Sequence, residues 1–599
     1  MSARRKTEVI LGALVVLGPL AALGFLAARM LGQAPPAAED YVGSESCKGC
    51  HSREHELWLS SDHRHALHKA ADNPLRPRLD GEAAGVEPVY AMGWRPLQQV
   101  LVAGKDGRLQ ASPIAWDPAK AEWFHVFADL PEAERPGWES PALNANLMCL
   151  ECHVTDYRKG YDRATGRYQT TWKEEGVGCE ACHGPGARHV DWAKRGGEGE
   201  ALIVAPKRLA PDRALDLCAT CHTRRYAIAD GFRPGDRLAD FYAPELLASE
   251  EAYHPDGQIR GETYEYGSFL QSRMYAKGVR CSDCHEPHSG AVREQGNRLC
   301  MKCHKPELDA PSHHFHAAGS AGAACVGCHM PETTYMQRDP RRDHSFSVPS
   351  TETTVAYGVP NACNRCHADK TADWAAGHVE RWYGRREPSR ERRAAAFAAI
   401  RKGDAPSPAD AQALLSAQDE PPVARAALAE LLGPRAGEAG IAEALIGALR
   451  DADPLVRAGA LARLPSPPPE ALIEAASPLL RDPVRLVRVR AAWALRAANP
   501  ARFDGWAAAQ EEFARQAEAS ADNADVQFNL GVFWEDRGEP GKAEAAYADA
   551  LRVDPEMVPA LFNRAMVLHR LGRKDEAEVL WKEAVRLDPS LPSRVDEPK

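Results

Sequence analysis

All 16 cysteines of this 599-residue chain fall into eight C-x-x-C pairs, and a histidine follows each pair at once. In chain order, motifs 1 to 8 are Cys47, Cys50 and His51; Cys149, Cys152 and His153; Cys179, Cys182 and His183; Cys218, Cys221 and His222; Cys281, Cys284 and His285; Cys300, Cys303 and His304; Cys325, Cys328 and His329; and Cys363, Cys366 and His367. Zinc would recruit such pairs two at a time and would not need a histidine after each. A disulfide scaffold would not repeat one spacing. Eight repeats with the trailing histidine are the signature of c-type haem attachment. Two thioethers hold the porphyrin edge, and the adjacent histidine is placed beneath the iron as proximal ligand. The expectation is eight covalently attached haem c groups.

A simple electron carrier needs a second axial ligand on each iron. Of the 22 histidines, eight are proximal, and His378 and His569 lie in helical segments beyond the motifs. Twelve remain: His55, His63, His65, His68, His125, His189, His254, His288, His313, His314, His316 and His344. The stretch CEACHGPGARH (179–189) sets His189 six residues after His183. Extended chain spans at most ~20 Å over that distance, and Gly184-Pro185-Gly186 spends part of it on a turn. His189 is therefore placed to ligate a neighbouring haem. His288, three residues after His285, carries the same argument more strongly. His63, His254 and His344 are distal candidates in polar local contexts. His313 and His316 are candidates from HHFH, where a chelating cluster is the alternative. His125 in WFHVF is a candidate that could equally be a core histidine.

These residues need elements to hold them. All eight motifs lie within residues 41–370. Roughly 40 residues per motif is too little for a separate protein core around each, so the haems themselves must serve as core, among short helices and Gly/Pro-rich loops. Residues 86–128 alternate in β fashion between GKDG and DPAK turns and predict a small strand-containing insert. Upstream, Arg4, Arg5 and Lys6 precede an uncharged run from Val9 to Ala28, about the ~20 residues that cross a bilayer. This predicts an uncleaved anchor over 1–34, with the basic end cytoplasmic and the bulk of the chain periplasmic. A cleaved signal peptide is the alternative.

Beyond about residue 371 cysteine vanishes and Ala and Leu become dense. DADPLVRAGALARL (451–464) and RDPVRLVRVRAAWAL (481–495) both open on Asp-Pro and continue with Arg and Ala at helical spacing. They predict HEAT-like repeats over 390–500. Asn529 and Asn563, Gly538 and Gly572, and Pro555 and Pro589 are each 34 apart, the period of tetratricopeptide repeats, here over 505–592. The fold class is therefore mainly α: an N-terminal transmembrane helix, a loop-rich octahaem region with a β insert, and a C-terminal α-solenoid.

CEACHGPGARHV, YEYGSFLQSRMYAKGVRCSDCHEPHS, CVGCHMPETTYMQRDPRRDHSF and GVPNACNRCHADK, together with the repeats, resemble membrane-bound multihaem c-type cytochromes with C-terminal tetratricopeptide repeats. The haem region looks related to hydroxylamine oxidoreductase and its tetrahaem cytochrome c partner. The resemblance implies stacked and perpendicular haem pairs with mostly bis-histidine ligation, and it adds support for His63, His189, His288 and His344 as distal ligands. No C-x-x-C-K motif of the nitrite-reductase type is present, and no tyrosine is assignable to the cross-link of hydroxylamine oxidoreductase.

Electron transfer along the haems is the first functional expectation, with redox partner proteins (other cytochromes or a quinol-linked donor) and a protein partner on the repeat surface. The alternative is an oxidoreductase with one open haem, acting on hydroxylamine, nitrite or a sulfur oxyanion. A scaffold role for the repeats is a third. The net charge of −10 with interspersed signs argues against a nucleic-acid partner. No Walker loop, G-x-G-x-x-G fingerprint or G-x-S-x-G elbow is present, so nucleotide and acyl chemistry have no support.

Overall fold

The computed structural model describes residues 40–72, 87–384, 389–404 and 406–592. The segment expected to anchor the chain, residues 1–34, lies outside them. Among the described residues, no helix is long and apolar enough to cross a membrane.

Each motif is built on a helical turn, because cysteines three apart project from one side of it. Such turns cover Cys179–His183, Cys281–Cys284, Asn297–Met301, Cys325–His329 and Ala362–Cys366, and the helix Pro211–Ala219 delivers Cys218. The helical bond from residue i to i−4 then sets the histidine one turn on. The amides of His51, His222, His285, His304 and His367 donate to the carbonyls of Cys47, Cys218, Cys281, Cys300 and Cys363 at 2.9–3.0 Å. Between these turns the chain is mostly loop.

The insert is a five-stranded antiparallel meander: β1 (Leu67–Lys69), β2 (Pro88–Met92), β3 (Gln98–Ala103), β4 (Leu109–Asp117) and β5 (Glu122–His125), paired in that order. It recruits Leu67–Lys69 from before the expected 86–128 segment. The reason is burial: Leu67, Met92, Leu101 and Ala111 form one apolar cluster with Leu143, Leu150 and Val154. Leu150 belongs to motif 2, so the sheet is the wall behind that motif. At the GKDG turn, Gly107 has φ +74°, and a Cβ there would meet the Tyr168 carbonyl oxygen at 2.1 Å; only glycine fits.

From Ser389 the chain is a series of short helices ending at Leu587. The Asp-Pro openings recur for a reason. Asp453 caps the helix Pro454–Ala462 by accepting from the Leu455 amide at 2.8 Å, with Pro454 in the first turn, where its missing N–H costs nothing. The following arginines reach the next unit: Arg425 bonds Asp451 at 3.0 Å, Arg457 bonds Asp482 at 2.8 Å and Arg488 bonds Glu512 at 2.7 Å. Helices Pro422–Leu432 and Pro454–Ala462 touch backbone to backbone, since a Cβ on Gly459 would lie 2.2 Å from the Ala426 carbonyl oxygen. The 34-residue period appears as two helical pairs, Ala524–Asp536 with Pro540–Val553 and Val558–Arg570 with Lys574–Leu587, with Gly538 (φ +70°) and Gly572 (φ +79°) closing equivalent turns.

The helical array is not a separate body. One apolar core runs from Leu215, Tyr253 and Phe269 of the motif region through Phe397 and Leu428 to Phe533. Buried Arg393 joins the Asp256 carbonyl (2.9 Å) to Glu420 (3.2 Å). At the far end, the hairpin Tyr161–Asp162/Arg167–Tyr168 grips the repeats. Lys159 pairs with buried Asp522 at 2.8 Å, and the Tyr168 hydroxyl donates to the same carboxylate at 3.0 Å. Arg163 pairs with Asp549.

Candidate haem-binding and redox site

The motif region encloses a continuous cavity of about 3960 Å³, several times the roughly 300–1,000 Å³ of an ordinary small-molecule site. Cysteines and histidines of motifs 2 to 8 line it. Its size and its donor set fit multiple haems.

The cysteine contacts place the motifs in a row. Cys47 lies against Cys179, Cys218 against Cys281, and Cys300 against Cys325. Cys182 is within electrostatic reach of Cys221, Cys284 of Cys300 and Cys303, and Cys328 of Cys366. The spatial order is 1–3–4–5–6–7–8. Motif 2 stands to one side, where Cys152 lies against Cys221 of motif 4. That junction is locked by Arg225, which pairs with Glu151 at 2.9 Å and stacks 3.6 Å over the Tyr242 ring.

Four motif histidines face a second imidazole at one separation. Ring centroids are 6.3 Å apart for His51 and His189, 6.2 Å for His222 and His63, 6.3 Å for His329 and His313, and 6.3 Å for His367 and His316. Two imidazoles bound on opposite sides of one metal by bonds of about 2 Å would stand roughly 6 Å apart. His288 is an electrostatic neighbour of His183, and His344 of His285. His189 thus meets motif 1 and His288 meets motif 3, neither its own.

The other ring nitrogen supplies the second test. A ligating imidazole keeps one nitrogen for the metal by donating the other N–H. The Nδ1 atoms of His153, His183, His189, His329 and His344 lie 2.7–2.9 Å from the carbonyls of Ala66, Val204, Ala201, Ser347 and Arg342, and that of His288 lies 2.9 Å from Glu286. His316 makes the same kind of bond to the His314 carbonyl. In each, Nε2 remains for iron.

His222 differs, because its Nδ1 donates to the Glu265 carboxylate at 2.8 Å. Desolvation alone would lower this imidazole. The carboxylate overrides that effect and lifts it to about 9, while Glu265, though partly desolvated itself, is held down to about 2 by His222. An anionic partner makes the ring a stronger electron donor to whatever it ligates.

The turn after motif 3 has its cause in the motif. Buried Glu180 accepts from the Gly186 amide at 2.6 Å and from the Gly43 amide at 2.7 Å. Gly184 takes φ +80°. The chain then enters the helix Ala187–Lys194, which carries His189.

Two candidates stand apart. His254 lies in a hairpin among Asp256, Arg260, Arg401 and Asp343, and is not a cavity-lining residue. His125 ends β5, and its Nδ1 accepts from the Phe127 amide at 3.1 Å. In the neutral ring the proton then sits on Nε2, the reverse of the ligating arrangement. Sequence reasoning missed Glu265, Tyr264 and Arg341, which meet the motifs only through folding and carry no local spacing signal.

The family of cytochrome c554 and c-prime matches residues 131–184, a doubled CXXCH motif matches 274–309, and a tetratricopeptide repeat matches 558–591. The chain is 22% identical over 390 residues to the dissimilatory sulfite reductase MccA of Wolinella succinogenes, covering 49% of this chain and 50% of that protein. It is 25% identical over 267 residues to the multiheme cytochrome MtrA of Shewanella baltica, covering 43% and 61%. It therefore spans about half to three-fifths of the length of these relatives. The outer cell wall cytochrome OcwA aligns over 66% of this chain and 100% of that chain, at 20% identity and a TM-score of 0.45. The chain is a multihaem c-type cytochrome with paired CxxCH motifs and a C-terminal tetratricopeptide repeat. Its cofactor is haem c.

Proposed function

We propose that this is an octahaem cytochrome that carries electrons along the row of motifs 1–3–4–5–6–7–8. When bound, haem c supplies an iron that gains and loses one electron. The protein would hold six of the eight irons between two imidazoles, orient those rings through Nδ1 and keep neighbouring motifs in contact. The observation that carries this reading is the shared 6.2–6.3 Å separation of four imidazole pairs. Two axial histidines per iron favour low-spin haem with no vacancy for chemistry. The distal ligands in this reading are His189, His63, His288, His344, His313 and His316.

Residues 1–34 would anchor the chain in the inner membrane, with the remainder periplasmic, and the HEAT-like and tetratricopeptide helices would dock a redox partner. The clasp at Lys159 and Arg163 supports a further role for those helices as a cap on the motif region. The test is a haem and spin count on the purified full chain. Eight haems per polypeptide, at least six of them low-spin, support the reading; fewer than six low-spin haems refute it.

A second reading is favoured by His153. No imidazole pairs with it, although all 22 histidines lie among the described residues. One open haem would make the chain an oxidoreductase, the class to which the sulfite reductase relative belongs by name. Turnover of sulfite, nitrite or hydroxylamine by the holoprotein tests it.

A further inference from the structure

The charge of the chain is unevenly spread. Residues 205–213 and 273–305 carry ten lysines and arginines against four acidic residues, in a chain whose net charge is −10. Folding brings the two segments together. The Arg280 guanidinium donates to the Lys207 carbonyl at 3.0 Å, and a Cβ on Gly278 would stand 3.7 Å from Pro211. Arg293 continues the line at motif 5, where its Nε donates to the Ser282 carbonyl at 2.7 Å. Cys284 of motif 5 lies within electrostatic reach of Cys300 and Cys303 of motif 6. The result is one basic strip that runs past motifs 5 and 6.

Most of this charge is not neutralised by the chain. Arg298 and Lys302 share Glu294, at 4.0 and 3.4 Å. Among the described residues, Lys207, Arg208, Lys277 and Lys305 are exposed and form no ion pair. Haem propionates are one use for positive charge here, since Lys207, Lys277 and Lys302 line the motif cavity. Arg208, Arg298 and Lys305 do not line it, and their charge faces solvent. Within the strip, Val292 beside motif 5 and Leu308 beside motif 6 are 38% and 39% exposed. An apolar centre inside a charged rim is the anatomy of a protein interface. From Lys302 to Asp309 every residue is exposed, so no other segment covers motif 6 on this side. To use that access, whatever docks there needs a redox centre of its own, which lipid headgroups lack.

We propose that the basic strip along motifs 5 and 6 docks an acidic protein that carries a one-electron centre. This rests on the reading of the row as an electron carrier. The exchange is one electron, lost by one protein and gained by the other, with no bond made and no proton moved. The strip supplies encounter rate and orientation, because facing charges of opposite sign steer association. Tyr275 of the same segment lies within electrostatic reach of Asp453, so a partner held here also borders the helical array.

The probe is a plant-type [2Fe–2S] ferredoxin, an acidic protein of low potential. Its reduced form is mixed with the oxidised full-length holoprotein in stopped flow, and haem reduction is followed against ionic strength. The rate constant should fall steeply as salt screens the strip. Arg208→Glu, Arg298→Glu and Lys305→Glu together should lower it by about tenfold or more at low salt, and the difference from the parent should close at high salt. Three reversals on the helical array, Arg515→Glu, Lys542→Glu and Lys574→Glu, should leave it unchanged. With a basic cytochrome c as electron acceptor, the strip variant should be no slower than the parent. Equal ferredoxin rates in parent and strip variant, or slowing by the array set alone, overturn the docking site. Slowing with both probes traces the loss to the row and overturns it as well. If the strip variant loses binding to phosphatidylserine vesicles while its ferredoxin rate stands, the strip is a membrane contact instead. The spin count of the parent decides the row reading separately.

Discussion

His63 and His222 face each other with ring centroids 6.2 Å apart and planes at 71°. His222 belongs to motif 4, while His63 comes from the loop after motif 1 and packs near the Pro287 backbone. One pair therefore ties together segments adjacent to motifs 1, 4 and 5. Motif 4 is also where motif 2 joins the row.

Replacing His63 should expose this pairing directly. His63→Ala is expected to add one high-spin haem equivalent to the EPR spectrum of the holoprotein, because removal of one axial imidazole leaves the other alone on its metal. His254→Ala, outside the cavity, should add none. Equal spectra from the two variants would refute the pairing.

Glu265 should set the potential at motif 4. A carboxylate on Nδ1 strengthens the ligand and favours the ferric state. Glu265→Gln keeps the hydrogen-bonding shape and removes the charge. One midpoint in a spectroelectrochemical titration should rise by tens of millivolts, ~60 mV for each tenfold change in relative affinity for the two oxidation states. An unmoved set of midpoints would refute the role.

The count of eight has its own test. Cys363→Ala with Cys366→Ala removes both thioether positions of motif 8 and should lower the covalent haem content by one per chain, read by intact mass and by the pyridine haemochrome. Motif 8 ends the row, so its loss should disturb its neighbours least. A content unchanged by the double substitution would show that this motif carries no haem.

The clasp between the motif region and the repeats should be stabilising. Lys159→Met leaves the Asp522 carboxylate, buried to 1% exposure, with only the Tyr168 hydroxyl. Leaving a buried charged acceptor short of a partner costs about 1–3 kcal/mol. Limited proteolysis should then cut near residues 519–523 faster than in the parent. Unchanged cutting would mean that the apolar core alone holds the two parts together.

Much of this was legible in the chain. The eight motifs are local, so their helical turns follow from spacing alone, and the 34-residue repeat shows the helices that became Ala524–Asp536 to Lys574–Leu587. The insert was legible except for β1, whose LHK has no strand pattern and pairs with β2 only because Leu67 buries beside Met92. That His189 and His288 would lie nearer to motifs other than their own was a matter of chain reach; which motif histidines they lie beside, His51 and His183, was not.

The sequence by itself determined where the eight CxxCH motifs lie and that imidazoles are plentiful enough to serve most of them. These are properties of residue type and short spacing. Only the tertiary structure decided which imidazole faces which motif, the order 1–3–4–5–6–7–8, the side position of motif 2, and the gathering of Tyr264, Glu265 and Arg341 around motifs 2 and 4. These depend on contacts between residues far apart in the chain. Such contacts are chosen by burial and by hydrogen bonds that no local pattern records.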